Sequence, residues 1–126
     1  MFDSTVRGNL ALGRDKSNPV SDAEMYAALE RVGLGPWAAH LPDGLDTLTG
    51  AGGRFMSGGQ RQRLAVARTL LAGARAIILD EPTAHLGEDE GQALIDDVRS
   101  GAHDVALVLV THDQELAAQA ESITRL

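Results

Sequence analysis

The 126 residues carry 18 acidic against 11 basic side chains, a formal net charge of −7, with 44% hydrophobic and 3% aromatic residues and no cysteine. That length suits one domain, the charge and the sparse aromatics argue against a nucleic-acid surface of basic patches and stacking rings, and the missing cysteines exclude a disulfide framework or zinc–thiolate site. No apolar run approaches the ~18–20 residues of a membrane span and the polar, acidic N-terminus does not read as a signal peptide, so the chain itself is expected to be soluble.

No repeat or low-complexity stretch divides the sequence. Ser21-Asp22-Ala23-Glu24 reads as a capping box opening a helix that carries Met25, Ala28, Leu29 and Val32 on one side and ends near Gly33. Pro36 starts a short helical turn with Trp37 and Leu41, closed by Pro42-Asp43-Gly44, and Gly50-Ala51-Gly52-Gly53 is expected to be a flexible approach to the next helix. Tyr26 and Trp37 are expected to pack against apolar neighbours. Ser57 with Gln60 forms a second capping box, for a helix running to about Leu71.

From Ala76 the pattern alternates: strand Ala76–Leu79, helix Glu88–Arg99, strand Val105–Val110, helix Gln114–Ala120, strand Ser122–Leu126. Short apolar strands separated by helices imply a parallel sheet covered on both faces. The acidic run Glu88-Asp89-Glu90 is accounted for as carboxylates complementing a helix N-terminus. Arg61, Arg63 and Arg68 fall on one helix and read as a solvated or interdomain face.

Two stretches carry chemistry. In Met56-Ser57-Gly58-Gly59-Gln60-Arg61-Gln62-Arg63-Leu64 the cap explains Ser57 and Gln60 but not the adjacent glycines, each of which disfavours a helix interior by roughly 1 kcal/mol relative to alanine, somewhat less in a first turn. Bare first-turn N–H groups at the positive end of a helix suit the approach of phosphate oxygens. In Ile77-Ile78-Leu79-Asp80-Glu81-Pro82-Thr83 a carboxylate pair follows an apolar strand, at the end of the sheet where open α/β folds bind ligands. Val110-Thr111-His112-Asp113 brings His112 to the same end. His40 and His103 fall in surface turns and are assigned no role.

Together these stretches resemble the second half of an ATP-binding cassette, the nucleotide-hydrolysing domain of ABC transporters. The P-loop pattern G-x-x-x-x-G-K-[ST] is absent: the single lysine, Lys16, precedes Ser17, but Leu10 and Asp15 occupy the glycine positions. In cassettes the P-loop precedes a stretch similar to Phe2–Leu10, and a hairpin and last helix come after one similar to Ser122–Leu126. The chain is therefore expected to be a fragment truncated at both ends. The fold class implied is α/β, a P-loop NTPase-like parallel sheet flanked by helices and incomplete, preceded by the ABC helical subdomain. Residues 1–75 would form that subdomain, with the signature helix at 57–72, and residues 76–126 the C-terminal part of the ATPase core.

The resemblance implies ATP and Mg²⁺. Asp80 would be the metal ligand, usually through water; Glu81 and His112 would be catalytic, Glu81 handling the attacking water and His112 linking the γ-phosphate to Glu81; Ser57, Gly58, Gly59 and Gln60 would contact a nucleotide held by an opposing cassette. The implied function is ATP binding and hydrolysis for a bacterial ABC exporter, an ABC-type ATPase whose isolated fragment is inactive. The implied partners are a second nucleotide-binding domain, in a homo- or heterodimer, and a membrane-spanning transporter domain, with no nucleic acid. The full-length protein would lie at the cytoplasmic face of the inner membrane.

The alternatives are a soluble ABC ATPase acting on ribosomes or chromosomes, and a non-catalytic cassette remnant acting only in trans. The negative charge and the Phe2–Leu10 segment favour transport. Three stretches depart from the family. Met56 replaces the usual leucine. Ala84-His85-Leu86-Gly87 stands where S-A-L-D is common, and Ala51 in Thr47–Gly53 stands where exporters often carry glutamate. The Thr83-Ala84-His85-Leu86 variant resembles the heterodimeric thiol-reductant exporters of cytochrome bd assembly.

Overall fold

A computed structural model of the chain describes residues 4–124; Phe2 and Asp3 of the Phe2–Leu10 segment, and Arg125 and Leu126 of the expected last strand, lie outside the described residues. Helix α1 (Val6–Ala11) opens the described chain, capped by Thr5, whose Oγ1 accepts the Gly8 N–H at 3.0 Å. The sequence pattern points to no helix here. Helix α2 (Asp22–Arg31) has the expected capping box: Ser21 Oγ accepts the Glu24 N–H at 3.2 Å and Glu24 Oε2 accepts the Ser21 N–H at 2.8 Å. Helix α3 (Gly35–Ala39) carries Pro36 in its first turn, where a missing N–H loses no helical bond.

The glycine-rich approach is ordered rather than loose. It forms a 3₁₀ turn over Ala51–Gly53, closed by Gly53 N–H to Gly50 O at 2.9 Å, with Gly50 at φ +77, a conformation that disfavours side chains. Helix α4 (Gly58–Leu71) comes next, then strand β1 (Ala76–Asp80), helix α5 (Glu88–Gly101), strand β2 (Ala106–Val110) and helix α6 (Gln114–Ala117).

One buried cluster runs through these elements. Leu10 of α1, Leu29 of α2 and Leu64 of α4 are fully withdrawn from solvent, and the cluster continues through Ile77 and Leu79 of β1 to Leu94 and Val98 of α5. Each such side chain contributes on the order of 1.5–3 kcal/mol by leaving water. Polar clamps fix the helices around it. Arg63 of α4 donates to the Val32 carbonyl at 2.9 Å and pairs with Asp97 of α5, with 13% of its side chain exposed. Of the two readings of the α4 arginines, a solvated or an interdomain face, Arg63 fits the second: it lies on the side of α4 turned toward α2 and α5. The expectation for Tyr26 is corrected. It is 43% exposed, because it falls off the Met25, Ala28, Leu29, Val32 stripe, whereas Trp37 packs against the core as expected.

The sheet pairs β1 and β2 in parallel, Ala76 opposite Ala106 through Asp80 opposite Val110, with α5 as the crossover. Ile77 and Leu79 enter the core, while Ile78, Val108 and Val110 are 69%, 46% and 46% exposed. The expected covering of both faces is therefore not found among the described residues, because the helices pack against one side only. Ser122–Thr124 form no strand, having no ladder bonds to either neighbour, and α6 ends at Ala117 rather than Ala120, its last residues tightening into turns.

Candidate nucleotide site

Parallel pairing decides the geometry at the strand ends. With Asp80 opposite Val110, the next residue of each strand, Glu81 and Thr111, must also be neighbours, and Glu81 N–H extends the ladder to Val110 O at 2.7 Å. Glu81 then turns sharply, at φ +45. It is the one non-glycine with positive φ among the described residues. A bulky residue held there costs on the order of 1–3 kcal/mol, and the carboxylate supplies opposing bonds: Oε1 accepts the His112 N–H at 2.9 Å and Oε2 makes a long contact of 3.5 Å with the Thr111 hydroxyl. The His112 ring is fully exposed, its Nε2 3.7 Å from Glu81 Oε1. Glu81 and His112 are thus brought together across 31 residues of chain.

Asp80 ends β1 with its side chain exposed and without a hydrogen bond or ion pair to the described residues. No cluster of three or more His, Asp or Glu able to hold a metal occurs among those residues. One or two carboxylates at a strand end are nonetheless the donor set Mg²⁺ uses when phosphate oxygens and water complete its shell. Asp80 fits such a role as a single ligand.

At the start of α4, Ser57 is extended (φ −67, ψ 165). Its hydroxyl accepts the Gln60 N–H at 3.1 Å, and Gln60 Oε1 accepts the Ser57 N–H at 2.9 Å. Packing does not require either glycine: a Cβ on Gly58 would meet Leu86 Cδ2 at 3.4 Å, ordinary contact, and one on buried Gly59 would stand 3.0 Å from Oε1 of Glu90, the tip of an exposed side chain that can swing aside.

Gly58 and Glu81 line one open cleft of about 310 Å³ between α4 and the turn after β1, whereas Asp80 and His112 lie outside its lining. The cleft also holds Arg61, Arg68 and His85. Sequence reasoning gives these three no site role, although Arg61, Ala65 and Arg68 recur at the i, i+4, i+7 spacing of one helix face.

Known proteins resemble this chain in sequence and fold. The ABC-type transmembrane transporter verA of Clonostachys rogersoniana is 35% identical over 123 residues, 98% of this chain and 10% of that protein. The mitochondrial iron-sulfur clusters transporter ATM1 of Saccharomyces cerevisiae is 35% identical over 127 residues, 98% of this chain and 18% of that protein. The chain thus spans less than a fifth of either relative. Among solved structures, a bacterial Atm1-family ABC exporter with ATP bound matches 96% of this chain and 21% of its own, with a TM-score of 0.77 and 32% identity. The family profile described as ABC transporter matches residues 2–84, more than half of the chain, and the chain belongs to the ABC transporter family.

Proposed function

We propose that this chain supplies part of the ATP-binding and hydrolysing module of an ABC exporter. In this reading residues 1–75 are the helical subdomain with the signature helix at 57–72, and residues 76–126 are the C-terminal part of the ATPase core. The observation that carries it is the Glu81 carboxylate, fixed by the His112 N–H at the carboxyl ends of two parallel strands. A carboxylate so held is placed to orient a water and accept its proton. The exposed His112 ring beside it is free to engage a phosphate oxygen.

Asp80 would hold Mg²⁺, which when bound neutralises charge on the phosphate oxygens. Ser57 through Gln60 would face the nucleotide of a second cassette, and a membrane-spanning domain would carry the substrate, with the module at the cytoplasmic face of the membrane. The Thr83-Ala84-His85-Leu86 variant favours, within exporters, the thiol-reductant type. No G-x-x-x-x-G-K-[ST] occurs in these 126 residues, so phosphate positioning must come from elsewhere and the chain alone is expected to lack ATPase activity.

The test is Glu81→Gln in a full-length exporter carrying this sequence. The amide preserves size and hydrogen bonding but accepts no proton, so ATP binding should persist while turnover falls by about 10²-fold or more. Undiminished turnover would remove Glu81 from the chemistry. A second reading, a remnant acting only on another cassette's nucleotide, rests on the fully capped start of α4 in a chain without the P-loop pattern.

A further inference from the structure

The cleft between α4 and the turn after β1 is unevenly charged. Arg61, Gln62 and Arg68 form one wall, and His85 and Glu81 lie opposite. Arg61 lies three residues before buried Leu64 and Arg68 four after it, so both arginines border the buried stripe of Leu64, Ala67 and Leu71, and Gln62 lies further round the helix. Arg61 uses one nitrogen to hold the Met56 carbonyl at 2.9 Å.

Arg68 differs from every other partly buried arginine. Arg7, Arg14, Arg31 and Arg63 each pair with a carboxylate, and Arg61 binds carbonyls, but the Arg68 guanidinium has no hydrogen bond or ion pair among the described residues. Partial withdrawal of a guanidinium from water is unfavourable unless an acceptor replaces the lost hydration. Glu81 is the one carboxylate in the lining, and its oxygens already serve His112 and Thr111.

We propose that this cleft is an oxyanion site that takes a phosphate group, with Arg68 as the principal cation, Arg61 and His85 flanking it and the Gln62 amide as a further donor. The altered turn contributes: His85 brings an imidazole where the common pattern has a small residue. Guanidinium groups match the planar, bidentate acceptor geometry of phosphate. Glu81 opposes the anion and limits its affinity. The proposal rests on the nucleotide reading and deepens it: Gly58 and Glu81 of that site line the cleft, but the anion is held without Ser57, Asp80 or His112 and without a metal.

The test is titration of the ¹⁵N-labelled 126-residue chain with inorganic phosphate in the absence of Mg²⁺, with chloride at matched ionic strength as control and ADP as a parallel arm. Saturable shifts at Arg61, His85 and Leu86 with phosphate but not chloride are expected, weakened about tenfold or more by Arg68→Gln. Glu81→Gln should tighten phosphate binding by removing the opposing charge. Binding of ADP about tenfold tighter than phosphate would assign the group to a nucleotide, and equal or weaker binding to free phosphate. Should Arg68→Gln fail to fold, His85→Glu on the exposed turn carries the test by placing a carboxylate against the anion. Unchanged phosphate affinity in whichever variant gives a folded spectrum, or equal shifts with chloride, overturns the proposal.

Discussion

Arg31 donates its Nε–H to the carbonyl of Gly101 at 2.7 Å, joining the end of α2 to the end of α5 across 70 residues of chain. The approach is possible only because residue 101 lacks a side chain. A Cβ there would lie 2.6 Å from the Arg31 carbonyl carbon and closer still to its oxygen, and backbone cannot swing aside as a side-chain tip can. Gly101→Ala should therefore destabilise the chain by about 3 kcal/mol or more, the upper range for overpacking. Gly87→Ala, with nothing within 4 Å of the added carbon, meets no steric obstacle and should cost at most about 1 kcal/mol, through the poorer N-cap it gives α5. Urea denaturation of both variants checks this, and equal midpoints would contradict it.

Much of this arrangement is legible in the sequence, for identifiable reasons. Both capping boxes can be read directly because the signal is local: Ser21 with Glu24 and Ser57 with Gln60 are three residues apart and need no tertiary context. The strands are legible from their apolar runs, and their parallel pairing from the intervening helix. Helix α1 is not legible. It is held by long-range bonds, Val6 N–H to Thr47 O at 3.0 Å and the Asn9 amide to Thr49 Oγ1 at 3.4 Å, which no local pattern announces. The partnering of Arg63 and the isolation of Arg68 are hidden for the same reason, since a helix face reveals which residues share a side but not what lies opposite.

Acid should loosen the helical part first. The Arg7 guanidinium holds the Asp22 carboxyl below its ordinary range, hydrogen bonds from Ser21 do the same for Glu24, and its own backbone N–H with Arg31 does so for Asp104. With folded values depressed, these groups stabilise the native state fully above the ordinary carboxylate range, and the contribution is lost as pH falls through the folded values, where the unfolded chain binds more protons. The midpoint of denaturation should stay level from neutral pH to about 5 and fall below about 4. Asp22→Asn should shallow that fall. A variant whose acid limb matches wild type would show that the Arg7 contacts contribute nothing in solution.

The sheet is expected to be the weak part of the chain in isolation. Only two strands are found among the described residues, and Ile78, Val108 and Val110 face solvent. Two-stranded sheets are marginal in water, and unpaired edges with apolar faces invite association. Amide exchange across Ile77–Leu79 and Val105–Val110 should be faster than across Leu64–Ala67 in the buried part of α4. Slower exchange in the strands, in a monodisperse monomer, would mean that the sheet is stable as it stands.

The two candidate constellations also separate in what they would serve. In the proposed function Asp80, Glu81 and His112 would act on a nucleotide bound to their own cassette, so their use would depend on a P-loop pattern that does not occur in these 126 residues. The start of α4 needs only its own capped geometry, with the Ser57 hydroxyl and the Gln60 amide already closed on each other's N–H groups at 3.1 and 2.9 Å. Any activity of the isolated chain should therefore be exerted in trans, on a partner that owns an intact P-loop. Titrating the chain into a complete cassette whose own signature has been disabled should raise that partner's affinity for ATP. Ser57→Arg should abolish the effect, because a long cation at the helix start both removes the cap, at about 1 kcal/mol of helix stability, and fills the approach to the first-turn N–H groups. Ser57→Thr, which keeps a capping hydroxyl, should retain it. If wild type, Ser57→Arg and Ser57→Thr act alike on the partner, the start of α4 has no role in trans.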